Sequence, residues 1–242
     1  MMVYSGSDIG LRRDSNQDYC KTGIFPDGTA WAVVCDGMGG ANGGCTASSV
    51  AAETIASILT EEYKSDMSPE QIRELITRAV CTANSVVYET ACNDPSLKGM
   101  GTTVVCAVAG NELVHIVHAG DSRAYLFEND SIRRITTDHS IVQQLVDAGQ
   151  LTEAEAMFHP NRNIITRALG IDPQLITDYN CEQFRQGAEL IICTDGLSGY
   201  FVDNALCELV KNCSGEELVN RLIEAAKELG GSDNITVAVI AG

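Results

Sequence analysis

Positive charge is scarce in this chain. Sixteen lysines and arginines stand against 33 aspartates and glutamates, a formal net charge of −17 over 242 residues. A field of that sign repels phosphate backbones and anionic lipid, so neither nucleic acid nor a membrane surface is an expected partner. It suits multivalent cations. No run approaches the ~18 apolar residues that a spanning helix needs. The opening MMVYSGSDIGLRRD has no apolar core segment, so no secretory signal is expected. The ten cysteines include no CxxC pair, which leaves zinc-knuckle and thioredoxin-like chemistry without support. They are scattered, often inside apolar runs (Cys35, Cys106, Cys193), and read as small reduced core residues of a cytoplasmic protein. Repeats, low-complexity tracts and Pro/Gly/Ser linkers are missing too. A single domain over 1–242 is expected, and 45% hydrophobic content is enough to give it a core.

What is present is a mixture of short β-rich runs and long helical patterns. Residues 29–36 (TAWAVVCD), 102–110 (TTVVCAVAG), 112–121 (ELVHIVHAGD), 122–128 (SRAYLFE), 131–136 (SIRRIT), 189–195 (ELIICTD) and 234–241 (NITVAVIA) are rich in Val, Ile and Thr and bounded by turn residues, as strands should be. Gly110-Asn111 and Asn129-Asp130 fall at hairpin spacing, which makes part of the sheet antiparallel. Helices are expected over 41–63, 68–91 and 214–231. The second opens on Ser68 as N-cap, with Pro69 at the first helical position and Gln71 completing a capping box; Ser214 and Glu217 form the same pattern before the third, which ends at Gly230-Gly231. The mixed order favours α+β layers over a doubly wound parallel sheet. From Asp138 to Gly170, short helical pieces and the polar loop HPNRN suggest an insertion lying on the sheet.

Four acids share one context. Asp36 ends AVVC, Asp195 ends LIICT, Asp121 follows VHIVHAG and Asp233 precedes NITVAVI. An Asp at a strand end commonly just begins a turn, but turn statistics do not explain why acids recur where Asn, Ser or Gly would serve. A lone ionised carboxylate at the edge of an apolar strand is costly. Four converging on one rim would need cations, and oxygen ligands suit Mg²⁺ or Mn²⁺. Arg13, in DIGLRRDSNQDY, is either half of an exposed surface pair with Arg12 or a phosphate-gripping guanidinium. Spacing leaves both readings open.

Taken together, GLRRDSNQD (10–18), VVCDGMGG (33–40), MGTTVV (100–105), HAGDSRAYLF (118–127), TTDHS (136–140), HPNRNIITRALG (159–170), LIICTDGLSGY (190–200) and GGSDNITVAVI (230–240) resemble the metal-dependent Ser/Thr protein phosphatases, the PPM or type 2C family, in compact bacterial form. They occur in the family's order almost end to end. The resemblance implies a four-layer α-β-β-α sandwich: two mostly antiparallel sheets flanked by helices, with a flap at roughly 138–168. Asp36 would bridge two metal ions, the Gly37 carbonyl would ligate one, and Asp195 and Asp233 would complete the set. Asp18 and Asn234 would stand behind the ligands, Asp18 holding metal-bound water. Asp121, with Asp195, would support a weaker third ion, so two to three Mn²⁺ or Mg²⁺ ions are implied. Arg13 would grip the phosphate, and a water bridging the two cations would attack phosphorus directly.

Implied substrates are phosphoserine and phosphothreonine proteins, including a cognate Ser/Thr kinase that the enzyme opposes, and a monomer is expected. Two other readings are a phosphatase for a small regulator in a sigma-factor partner-switching pathway, against which the flap speaks, and a catalytically dead phosphoprotein-binding module, against which the retained acids speak. Met38 departs from the many eukaryotic members that carry His there as general acid. A thioether cannot donate a proton, which leaves metal-bound water, or else His139 or His159.

Overall fold

In the central strands, neighbouring side chains bury to opposite faces, and this sets the layering. The computed structural model describes residues 1–110 and 112–242, with only the backbone at 41 and 42. One sheet has the order β1 (Met2–Asp8), β11 (Ile235–Ala241), β10 (Glu189–Cys193), β7 (Arg123–Glu128), β8 (Ser131–Arg134). The other runs β2 (Asp18–Ile24), β3 (Ala30–Met38), β5 (Val104–Gly110), β6 (Leu113–Ala119), β9 (Asp178–Gln183), with the two-residue β4 (Gly101–Thr102) on the end of β3. Every pairing among these strands is antiparallel.

In β3, Trp31, Val33 and Cys35 face an outer core with α1 (Gly40–Glu62) and α2 (Pro69–Asn93), while Ala30, Ala32 and Val34 face the other sheet. In β10 and β11, Ile191, Cys193, Val237 and Val239 face α6 (Asp203–Val210) and α7 (Gly215–Glu228), while Leu190, Ile192 and Ala238 face inward. Burial on both faces explains why these strands read as continuous apolar runs without alternation. The result is the expected α+β, four-layer α-β-β-α sandwich. Cys35, Cys106 and Cys193 are core residues, as expected.

Local signals hold where they are purely local. Gln71 N donates to Ser68 Oγ at 3.3 Å and Ser68 N to Gln71 Oε1 at 2.8 Å, the expected capping box. Asn129 and Asp130 sit at φ 53° and 59° and turn β7 into β8, as a two-residue hairpin loop requires. The turn expected at Gly110-Asn111 involves Asn111, which lies outside the described residues. The capping box at Ser214 does not form: the chain enters α7 through Gly215 at φ 60°, Ser214 makes no cap bond, and the Glu217 carboxylate lies 3.8 Å from Cys213 Sγ.

Strands β1, β2 and β9, and helix α6, are additions to the sequence reading. β2 and β9 mix polar and apolar residues and are edge strands, whose pairing only the neighbouring strand decides. Residues 138–168 lie outside both sheets, apart from one isolated bridge between Ser140 and Ile165, and contain α3 (Ile141–Asp147), α4 (Glu153–Ala156) and connecting loops. Among the described residues no helix is long and apolar enough to cross a membrane.

Candidate metal centre

Antiparallel pairing brings the predicted acids to one rim. Asp18 opens β2 directly opposite Asp36 near the end of β3. Asp195 is the first residue of the short helix α5 (Asp195–Ser198) after β10; Asp233 stands two residues before β11, and Asp121 follows β6. Asp36 and Asp195 lie close enough for their charges to interact. Asp36 also lies within electrostatic reach of Asp18, Asp121 and Asp233. Arg13, in the loop between β1 and β2, places Nη2 2.6 Å from Asp233 Oδ2. Arg13, Asp18, Asp36, Asp121, Asp195 and Asp233, far apart in sequence, therefore gather together.

The electrostatics of this cluster are adverse. Burial, then repulsion from Asp18, Asp195, Asp121 and Asp233, pushes the Asp36 carboxyl well above the usual range. Burial, then Asp195 and Asp138, does the same to Asp121. Asp195 is raised by burial and by Asp233. Asp18 is pushed up to about 7 by burial and by Asp195 and Asp233, against hydrogen bonds from Thr194 and Thr236. The neighbouring guanidinium of Arg123 is spent elsewhere, reaching Asp138 at 2.7 Å through Nη2 and at 2.9 Å through Nε. An all-oxygen, strongly anionic donor set whose members resist ionisation fits hard divalent cations.

The supporting residues are equally specific. Thr194 Oγ1 donates to Asp18 Oδ2 at 2.8 Å and accepts from Thr236 N at 3.0 Å. Neither threonine stands out in the sequence; the one signal is that Thr194 precedes an acid at the end of an apolar run. Asn234 uses its whole amide on the Arg13 loop. Its Oδ1 accepts from Gln17 N at 2.8 Å, and Nδ2 donates to the Ile9 and Ser15 carbonyls, each at 3.0 Å. Gly37 has no room for a side chain, since a Cβ would lie 2.1 Å from the Gly44 carbonyl oxygen in α1.

A cleft of 340 Å³ runs from Asp121, Asp195 and Asp233 to an apolar side formed by Val142, Met157 and Phe201. Its lining includes neither His139 nor His159. His139 is buried, and His159 sits in a surface loop where its Nδ1 accepts from Asn161 N at 3.2 Å.

The model of the family "Protein phosphatase 2C" matches residues 11–230. The chain is 32% identical over 240 residues to the serine/threonine phosphatase stp of Listeria welshimeri, covering 97% of this chain and 93% of that protein. It superimposes with a TM-score of 0.92 and 33% identity on the serine/threonine phosphatase Stp1 from Staphylococcus aureus, covering 99% and 94% of the two chains. The catalytic domain of the serine threonine protein phosphatase PstP, in complex with two manganese ions, matches with a TM-score of 0.86 and 31% identity over 98% of this chain and 96% of that one.

Proposed function

The chain belongs to the protein phosphatase 2C family and is a metal-dependent protein-serine/threonine phosphatase; we propose that the rim acids and Arg13 carry that activity, within one catalytic unit over 1–242. The observation behind this is a set of carboxylates pushed together until Asp36, Asp121 and Asp195 all resist ionisation, with Asp121, Asp195 and Asp233 lining a cleft. In this reading Asp36, the Gly37 carbonyl, Asp195 and Asp233 would hold two Mn²⁺ or Mg²⁺ ions, and Asp121 with Asp195 would hold a third. Ions bound there supply a nucleophilic water at neutral pH and offset charge on the phosphoryl oxygens.

The chain's own residues do the rest. Asn234 pins the loop that carries Arg13, so the guanidinium swings from a fixed base. Its bond to Asp233 keeps it at the rim until a phosphoryl group replaces the carboxylate as its partner. Two parallel N–H donors then hold two phosphoryl oxygens. Asp18, fixed by Thr194 and facing Asp36 across two strands, would accept a hydrogen bond from water at the site. The apolar side of the cleft takes the chain flanking the phosphorylated residue, and water is displaced from around the ester as it docks.

Arg13→Ala is expected to lower kcat/KM on a phosphopeptide by about 10- to 100-fold, the value of one or two charge-assisted hydrogen bonds. Arg13→Lys should recover only part, because an ammonium cannot make the bidentate contact. Steady-state kinetics at saturating Mn²⁺ check this; an unchanged kcat/KM in Arg13→Ala would leave Arg13 as a surface ion pair.

Met38 packs its thioether against Gly101 and has no proton to give. His159→Ala is expected to leave the acidic limb of the kcat/KM–pH profile in place, since that ring does not line the cleft. A displaced limb would make His159 the proton donor.

The substrates proposed are phosphoproteins, among them the Ser/Thr kinase that this enzyme opposes, with the enzyme acting as a cytoplasmic monomer. A comparison of phosphoproteomes with and without the enzyme tests this: kinase activation-loop sites should rise in its absence.

A further inference from the structure

His118, His139 and Asp178 each present one ligand atom, and all three atoms lie within 4.8 Å of one another. The trio has the composition of a cation site, but its geometry is wrong for one. The two imidazoles are stacked, with centroids 4.7 Å apart and an interplanar angle of 10°, so their lone pairs lie in nearly parallel planes. Such lone pairs cannot converge on one ion at metal–nitrogen distances of about 2 Å. A cation is also there already: Arg167 Nη1 lies 2.7 Å from Asp178 Oδ1 and 3.1 Å from His139 Nε2.

What the cluster does is fix the tautomer and orientation of His139. Gly120 N donates to His139 Nδ1 at 3.1 Å, so Nδ1 carries no proton. A neutral ring then carries its proton on Nε2, facing Asp178 Oδ2 at 3.2 Å; Arg167 Nη1, itself a donor, makes no bond to that nitrogen and is held beside it by Asp178. His118 closes the other face, itself held by its Nε2 bond to the Thr137 carbonyl at 2.9 Å. Burial lowers the His139 pKa, which favours the neutral ring that this arrangement needs.

The main chain completes the grip. His139 N donates to the Gly120 carbonyl at 2.9 Å, so ring and backbone hold both sides of Gly120. Gly120 sits at φ 113°, and a Cβ there would lie 2.6 Å from Thr103 Cβ. No other residue fits. Thr103 is in turn bonded to the backbone of Asp36, Oγ1 accepting from Asp36 N at 3.0 Å and N donating to Asp36 O at 2.9 Å. On the far side, the His139 carbonyl accepts from Thr166 N at 2.7 Å, at the point where the 138–168 segment returns.

We propose that His139 is a positioning residue for Asp121: its bare Nδ1 holds the Gly120-Asp121 turn in the orientation that lets the carboxylate take its cation, and the Asp178–Arg167 pair ties that orientation to the base of the 138–168 segment. This rests on the reading of Asp121 as a cation ligand. Groups that orient a ligand from behind are commonly worth about 10- to 100-fold in metal affinity.

The test is Mn²⁺ binding to the full chain, followed by calorimetry and by electron paramagnetic resonance, with ¹⁵N spectra of the imidazoles as a second readout. The four histidines make that assignment tractable. Asp121→Asn is expected to abolish the weakest Mn²⁺ phase. His139→Leu should weaken that phase about tenfold and leave the tighter ones within about twofold. His139→Asn, whose Oδ1 replaces the Nδ1 acceptor, should restore the phase to within about threefold of wild type. Asp178→Ala, at a half-exposed carboxylate, removes the proton acceptor of Nε2; it should populate the Nδ1–H tautomer in the ¹⁵N spectrum and weaken the same phase, even if His139→Leu does not fold. An unchanged weak phase in folded His139→Leu, or no rescue by His139→Asn, overturns the positioning role while leaving Asp121 as ligand. An unchanged weak phase in Asp121→Asn overturns both.

Discussion

Asp195→Ala will lower Mn²⁺-dependent hydrolysis of p-nitrophenyl phosphate by about a thousandfold or more, roughly 4 kcal/mol of transition-state stabilisation. In the proposed site this carboxylate would serve more than one ion. It repels Asp36, is raised in pKa by burial and by Asp233, and heads the short helix at the end of β10. Removing it would take away a carboxylate that the proposed ions share. A chelator should produce the same loss in the wild-type enzyme, and added Mn²⁺ should reverse that loss but not the mutant's. p-Nitrophenol is a good leaving group and makes no use of a general acid, so the assay reads the metal centre and Arg13 rather than the uncertain proton donor. Activity in Asp195→Ala within about tenfold of wild type would sink the metal assignment.

The metal-free protein will lose stability as pH rises from about 5 to 8, and Mn²⁺ will reverse the slope. The sign follows from the direction of the shifts. Asp18 moves from 3.8 to about 7 on folding, so the folded state holds its proton more tightly than the unfolded chain does. The stability this contributes is present in full below the unfolded pKa and is lost as pH climbs through about 7. Between about pH 5 and 8 that amounts to roughly 3 kcal/mol for Asp18 alone, or on the order of 8 °C in Tm for a chain of this length. The raised Asp36, Asp121 and Asp195 act in the same direction. Bound cations favour the ionised carboxylates, so in saturating Mn²⁺ the Tm should rise with pH over the same window, with about 4 kcal/mol of stabilisation at a thousand times Kd. Thermal unfolding at four or five pH values, with chelator and with Mn²⁺, decides it. A chelated Tm that climbs with pH would mean that the rim acids are not strained. Asp18→Asn should flatten the chelated profile by removing a carboxyl that titrates near 7 in the folded state.

Much of this molecule is legible along the chain because its strongest signals are local. The buried strands announce themselves as Val/Ile/Cys runs, since a strand covered on both faces has no polar side to alternate with. Ser68, Pro69 and Gln71 begin α2 as expected because a capping box involves only four consecutive residues. The same pattern at Ser214 misled, because the backbone of Gly215 takes the chain into α7 from a left-handed step that no residue pattern in SGEE reveals. The acids were legible as a recurrence: Asp36, Asp121, Asp195 and Asp233 each meet the end of an apolar run.

By itself, then, the sequence determined the layer class, the acidic rim and the family to which those motifs belong, because composition, periodicity and motif order are properties of neighbouring residues. The tertiary structure alone decided that Asp18 faces Asp36 across two strands, that Thr194 holds Asp18, that Asn234 spends its amide on the Arg13 loop, and that His139 grips Gly120. Each of those contacts joins residues at least 18 positions apart, and hydrogen-bond direction and burial exist only once the strands have paired.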